Sequence, residues 1–224
     1  MRSKWLHQKK NTKLIFFCNG WGMDEHPFRP LASHEWNVLM FYDYADLSVG
    51  QNLGRLIGEY NEVILMAWSM GVWVGQRLFS PFSKELAVAI AINGSLCPID
   101  DQFGIQKDII QATHAHLNEK QRLKFYARMC KDRTLYRNFL SNQPQRSVES
   151  QKTELGVLLN SIEETASGRK SIYDCVFVSE HDYIMPTKNQ LNYWPEKIVH
   201  LVDGSHFPFY AYKSWDEIVD DMRH

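Results

Sequence analysis

Through roughly the first hundred residues the apolar side chains come in unbroken runs instead of alternating with polar ones. KLIFFCNGWG from Lys13, WNVLMFYDY from Trp36, EVILMAW from Glu62 and ELAVAIAING from Glu85 are all of this kind. A strand with one wet face alternates, whereas a strand covered on both faces does not. The runs therefore predict a mostly parallel sheet flanked by helices. QNLGRLIGEY and GVWVGQRLF carry helical character between them, so the chain predicts an α/β layered fold.

Between residues 98 and 168 the strand pattern stops. NEKQRLKFYARMCKDRTLYRNFL reads as one amphipathic helix, with Leu123, Ala127 and Cys130 on an apolar face and Lys120, Lys124, Arg128 and Lys131 on a basic one. SNQPQRS breaks it, and VESQKTELGVLLNSIEE resumes the helical period. Strand runs then return in IYDCVFVSEHD and KIVHLVDGSHFPF, and SWDEIVDDM predicts a last short helix. A chain of 224 residues, 44% of them hydrophobic, has material for one sizeable core and at most a small second unit. The expected organisation is a core of residues 1–97 and 169–224 with a helical insertion at 98–168.

A formal net charge of −1 provides no overall attraction to nucleic acid or to an anionic membrane. The four cysteines, Cys18, Cys97, Cys130 and Cys175, show no C-x-x-C spacing, and reduced thiols are expected. The basic stretch MRSKWLHQKKNTK is followed by no long apolar segment, because LIFFC ends in turn residues. A cytoplasmic, monomeric protein without a spanning helix is expected.

Within EVILMAWSMGVWVG a strand passes through Ser69 straight into a helix. Such a turn, with small residues two before and two after the serine, is the nucleophile elbow usually written G-x-S-x-G. Here Ala67 and Gly71 occupy those positions. The helix N-terminus beyond Ser69 offers unpaired backbone N–H groups to a developing oxyanion. Taken alone, the pentapeptide is equally compatible with a serine that caps a helix.

The rest of the chain supplies an acid and a histidine in the order serine, acid, histidine. Asp182 follows the apolar run CVFV, and His206 follows IVHLV, with Gly204 to turn the chain. Both lie just past the carboxyl ends of predicted strands, the edge where α/β sheets bind ligands. Glu180 is the alternative acid, but it follows its strand so directly that a solvated charge is expected. His200 alternates within a strand and His181 is expected at the surface. His114 and His116 are two apart in a helical region and so diverge, and no zinc or other metal site is expected. A second oxyanion donor belongs in the loop after an early strand. CNGWGM brings Gly20, Trp21 and Gly22 there, with Trp21 able to donate an N–H and wall an acyl pocket, or simply to pack as a core aromatic.

Together FFCNGWGMD, AWSMGVWVG, INGSLCPID and VDGSHFPF resemble the α/β hydrolases that act as pimeloyl-acyl carrier protein methyl ester esterases in biotin synthesis, of the short BioG type. The resemblance implies an α/β-hydrolase fold with Ser69 as nucleophile, Asp182 as acid, His206 as base, and Trp21 with Met70 at the oxyanion hole. It implies hydrolysis of the methyl ester of pimeloyl-acyl carrier protein, releasing methanol, with no cofactor.

The insertion also suggests a partner. Lys120, Arg122, Lys124, Arg128, Lys131, Arg133 and Arg137 crowd a segment whose acids are Glu119 and Asp132, a charge balance suited to an acidic carrier protein. A merely solvated helix face is the alternative. Phe125, Tyr126 and Tyr136 are needed for packing, so nucleic acid is not expected. Motifs of this kind leave the acyl group open. Another carboxylesterase, an acyl thioesterase, or a catalytically silent hydrolase fold used for binding all remain compatible with the residues.

Overall fold

The computed structural model describes residues 1–163 and 170–223. Among these residues a seven-stranded sheet runs in the order β1-β3-β2-β4-β5-β6-β7, with β1 Arg2–His7, β2 Lys13–Cys18, β3 Trp36–Tyr42, β4 Glu62–Trp68, β5 Val88–Ile92, β6 Cys175–Ser179 and β7 Val199–Val202. All neighbouring pairs are parallel except β1 with β3. The helices are α1 Leu53–Gly58, α2 Met70–Phe79, α3 Lys107–His116, α4 Glu119–Cys130, α5 Arg133–Ser141, α6 Val148–Glu163, α7 Thr187–Tyr193 and α8 Trp215–Met222.

The unbroken apolar runs form strands covered on both faces. Along β2, Leu14, Phe16 and Cys18 enter one core cluster and Ile15 and Phe17 the other. Along β4, Val63, Leu65 and Ala67 face one way and Ile64, Met66 and Trp68 the other. Helix α2 covers the first face, and Trp215, Ile218, Val219 and Met222 of α8 cover the second.

Two elements were not anticipated and one prediction needs correction. The N-terminal basic stretch is strand β1, an edge strand whose polar positions alternate outward. A solvated edge of this type lacks the apolar run that marks the central strands. Nor does the apolar pattern mark helix α7. The predicted single helix at 118–140 is two helices: Lys131 takes φ 56°, and the Asp132 carboxylate accepts from the N–H groups of Thr134 and Leu135 to cap a new one. The apolar face of α4 is rotated from the predicted one. Tyr126, Met129 and Cys130 are buried, whereas Leu123 is 39% exposed.

Helices α3 to α6 all fall between β5 and β6. Ile110 of α3 and Leu155, Leu158 and Ile162 of α6 join the first cluster, while Tyr126, Met129 and Cys130 of α4 and Phe139 of α5 join the second. The helices thereby straddle the carboxyl edge of the sheet. The boundary drawn at 168/169 lies outside the described residues.

The β4–α2 junction packs against the end of β2 with no space for a side chain. A Cβ on Gly71 would lie 2.2 Å from the Cys18 carbonyl oxygen and 2.4 Å from that of Asn19, and backbone there has no room to retreat. Gly71→Ala should lower the thermal melting temperature sharply, costing ~1–3 kcal/mol or more from overpacking; an unchanged melt would show that this contact is not the constraint described.

Candidate active site

Ser69 stands between β4 and α2 at φ 58°, ψ −126°. A residue with a side chain adopts such backbone at a cost of order ~1–3 kcal/mol. Its own N–H is taken by the Ile92 carbonyl at 2.9 Å, which pins the turn to β5. The N–H of Met70, at the first position of α2, has no intrahelical acceptor. Ala67, where G-x-S-x-G has glycine, fits because Gly75 faces it: a Cβ on Gly75 would lie 3.3 Å from the Ala67 Cβ.

His206 comes from the segment after β7. Its Nε2 lies 2.9 Å from Ser69 Oγ and its Nδ1 lies 2.7 Å from Asp182 Oδ2. Ser69, Asp182 and His206 are 5%, 4% and 1% exposed. A carboxylate accepting at Nδ1 leaves Nε2 as the acceptor for the serine hydroxyl. Asp182 is itself fixed. Its Oδ1 accepts from the backbone N–H groups of Ile184 and Met185, each at 2.9 Å, and its Oδ2 also accepts from Gln190 Nε2 at 2.9 Å. Glu180 is exposed, outside this chain of bonds.

Residues that the sequence reading missed hold the site in register. Asn93, fully buried at φ 46°, donates to Ser179 Oγ and to the carbonyls of Ser205 and His206, and accepts from Ser179 N–H at 2.7 Å. Trp68 Nε1 also donates to the His206 carbonyl, at 2.7 Å. One amide side chain thus ties the ends of β5, β6 and β7 together. Its sequence signal was the Asn-Gly pair after β5, which by itself reads as an ordinary turn.

The loop after β2 closes the site from the other side. A Cβ on Gly20 would stand 3.4 Å from the Ser69 Cβ. Trp21 is buried and its indole N–H donates to the Gln151 carbonyl at 2.8 Å, so the indole N–H is committed to α6 and the ring walls the cavity. That cavity is a narrow slot of ≈ 50 Å³ bounded by Trp21, Ser69, Met70, His206, and residues of α3 and α4. It shares Ile109, Thr113, Phe125 and Arg128 with a larger groove of ≈ 400 Å³ between α3 and α4.

The remaining predicted residues are spread out. Lys120, Lys124 and Arg128 lie exposed along α4. Arg122 turns inward, pairing with Glu119 at 2.5 Å and donating to the Arg146 carbonyl. Lys131 lies beyond the helix end, its ammonium 5.4 Å from the centre of the Tyr183 ring. The predicted four-residue basic face of the helix is therefore shortened to Lys120, Lys124 and Arg128. Two groups among the described residues bring possible metal-ligand atoms within 4.8 Å of one another: Asp24 with Glu25 and His26, and the exposed Glu180, His181 and Asp203. Neither includes Ser69, Asp182 or His206.

A sharp strand-to-helix turn at a serine, with a histidine and an acid delivered to the same sheet edge, is the arrangement of the serine hydrolases of the α/β-hydrolase fold. Solved structures agree on the fold: an esterase from Exiguobacterium antarcticum aligns with a TM-score of 0.67 at 12% identity, covering 100% of this chain and 94% of that one. The chain belongs to the pimeloyl-ACP methyl esterase BioG family, whose model matches residues 1–218. The crystal structure of BioG from Haemophilus influenzae is similar over 97% of this chain and 99% of that one, with a TM-score of 0.86 and 30% identity. A malonyl-[acyl-carrier protein] O-methyltransferase from Bacteroides fragilis is 35% identical over 200 residues, 88% of this chain; the chain spans 40% of that protein's length.

Asn93→Ala should leave several buried polar groups unpaired at about 1–3 kcal/mol each. The expected result is a lower melting temperature together with reduced ester hydrolysis; a stable and fully active variant would show that the three strand ends hold register without it.

Proposed function

We propose that this chain is a serine esterase that hydrolyses the methyl ester of pimeloyl-acyl carrier protein, with Ser69, His206 and Asp182 as its catalytic residues. The observation that carries the reading is the unbroken chain of hydrogen bonds from Ser69 Oγ through His206 to Asp182, in a chain of the BioG family. As Ser69 Oγ attacks the ester carbonyl, its proton passes to His206 Nε2, and Asp182 stabilises the imidazolium. The oxyanion is met by backbone N–H groups of Met70 and of the Trp21 loop. Collapse of the tetrahedral intermediate expels methanol, which takes the proton from His206. Water, deprotonated by His206, then attacks the acyl-serine and releases the free carboxylate.

We read residues 98–168 as a cap on a core formed by 1–97 and 169–224, with the groove between α3 and α4 as the way in. The methyl ester lies at the end of the acyl chain remote from the carrier, so a slot opening onto an outer groove suits a slender chain tethered outside. Lys120, Lys124 and Arg128 border this side of the molecule as an exposed basic row, the complement of an acidic carrier. In this reading Arg122 and Lys131 support the row from its flanks. Among the described residues no helix is long and apolar enough to cross a membrane; a carrier-bound substrate puts the enzyme in the cytoplasm, and one chain supplies the whole site, as a monomer would.

Ser69→Ala, Asp182→Asn and His206→Ala should each lower kcat by several orders of magnitude, non-additively, with folding unchanged by circular dichroism. Glu180→Gln should remain active; the opposite pattern would make Glu180 the acid. Kinetics on carrier-bound pimeloyl methyl ester, the free methyl ester and an acyl thioester measure the substrate class directly. Preference for the thioester would refute the proposed reaction. Reversing Lys120 and Lys124 to Glu should slow turnover of the carrier-bound ester, and added salt should erode the wild type's preference for it, since exposed charges are screened over about 8–10 Å at 0.1–0.15 M. A small soluble ester should be hydrolysed as before. Equal losses on both substrates would instead indicate disturbed packing.

A further inference from the structure

Residues 21–24 and 145–154 are joined bond by bond. Trp21 donates its indole N–H to the Gln151 carbonyl at 2.8 Å. Gly22, at φ 77°, is held at both backbone groups: its N–H donates to Glu154 Oε2 at 3.0 Å, and its carbonyl accepts from Gln151 Nε2 at 2.7 Å. The Met23 carbonyl accepts from Arg146 at 3.4 Å, and Asp24 Oδ2 accepts from the Gln145 N–H at 2.8 Å.

The side chains that make these bonds are deeply buried. Gln151 is 1% and Glu154 0% exposed. Glu154 Oε1 accepts from the Tyr44 N–H at 3.1 Å, and Oε2 pairs with Arg146 at 2.5 Å; Arg146 also pairs with Asp43 at 2.7 Å. Burial pushes the Glu154 carboxyl up against the opposing pull of Arg146. Gln151 Nε2 bridges to Tyr126 Oη of α4 at 3.0 Å. Burying a charged pair and an amide at a loop that already has a full hydrophobic cluster beside it brings little net stability. What such a network does provide is direction, since each bond restricts the orientation of a peptide plane.

We propose that α6 is a brace for the oxyanion loop, with Gln151 and Glu154 as positioning residues that clamp Gly22 from both sides and so hold in place the residues before it, Gly20 and Trp21, which border the cavity at Ser69. The proposal rests on the reading of Ser69 as nucleophile, and is independent of which acyl group is accepted. Oxyanion donors work only if they are already aimed at the position where charge develops. Here the aim of a loop on the core is set by a helix of the insertion. The α6 helix then has a part in the chemical step that its distance along the sequence from Ser69 conceals.

Glu154→Gln strips Arg146 of a buried counter-charge and threatens the fold itself, so the decisive variants are at Gln151. Gln151→Leu removes the donor to the Gly22 carbonyl at nearly constant size. Gln151→Glu replaces it with a group that donates only when protonated. A soluble p-nitrophenyl ester serves as substrate, with active sites counted by fluorophosphonate labelling and folding monitored by circular dichroism. For Gln151→Leu, kcat per labelled site should fall about tenfold to a hundredfold with KM little changed, a misaimed donor costing less than the 10²–10³ of a deleted one. The affinity for a trifluoromethyl ketone, which binds as an oxyanion, should weaken by the same factor as kcat/KM. The kcat of Gln151→Glu relative to wild type should recover as pH falls and the acid regains its proton, whereas the Gln151→Leu ratio should stay flat. Wild-type kcat and ketone affinity in folded Gln151→Leu would overturn the brace. Failure of the wild type to label at Ser69 would overturn the nucleophile assignment, and this proposal with it.

Discussion

The turn at Ser69 is the constraint to which the rest of the carboxyl edge is fitted. A serine at φ 58° persists only where its surroundings leave no easier conformation. Three neighbours supply that condition. The Ile92 carbonyl holds the Ser69 N–H, the absence of a side chain on Gly71 lets α2 sit directly on the β2 carbonyls, and a Cβ on Gly94 would lie 2.5 Å from the Ser69 carbonyl oxygen. The hydroxyl is projected from the sheet edge because strand and helix on either side of it cannot separate.

Placement at that edge follows from topology. Strand β2 lies between β3 and β4, so the chain crosses over after β3, and the crevice outside the carboxyl ends of β2 and β4 is where the loops diverge. Ser69 and the Trp21 loop border it directly. Asp182 and His206 reach it from β6 and β7 because Asn93 gathers the ends of those strands against β5. Two of the catalytic candidates are therefore oriented by neighbouring groups: the His206 segment by Asn93 and Trp68, and Asp182 by Gln190 and two backbone amides.

Helices α3 to α6 present two kinds of surface that differ in their physics. Ile109 and Ile110 of α3 and Phe125 of α4 border the slot at Ser69. The outer surface of α4 is basic, with Lys120, Lys124 and Arg128 exposed, and charges so solvated contribute little to stability. The buried polar contacts of Arg146, Gln151 and Glu154 connect this helical section to the core at the loop beside Ser69.

The covered strands, the α/β class, the helix after Ser69, and the serine, acid and histidine at strand ends were legible in the sequence, because each is written in local pattern: unbroken apolar runs, a small residue two past the serine, a turn after a strand. The resemblance to the BioG esterases was carried by motifs of the same local kind. Most of what the local pattern misstated lay where long-range contacts override it. Strand β1 forms by pairing with β3 and has no apolar run of its own. The helix predicted at 118–140 breaks at Lys131 through a local signal that apolar periodicity does not carry, the Asp132 cap of a second helix, whereas Arg122, read as part of a basic surface, turns inward to the Arg146 carbonyl. The indole N–H of Trp21 was committed to a residue 130 positions away. Apolar periodicity is a property of neighbours in sequence, and so the sequence by itself determined which segments are covered and where the candidate catalytic side chains emerge. A buried hydrogen bond is a property of neighbours in space, and only the tertiary structure decided which polar groups, Asn93, Gln151 and Glu154 among them, hold those side chains in place.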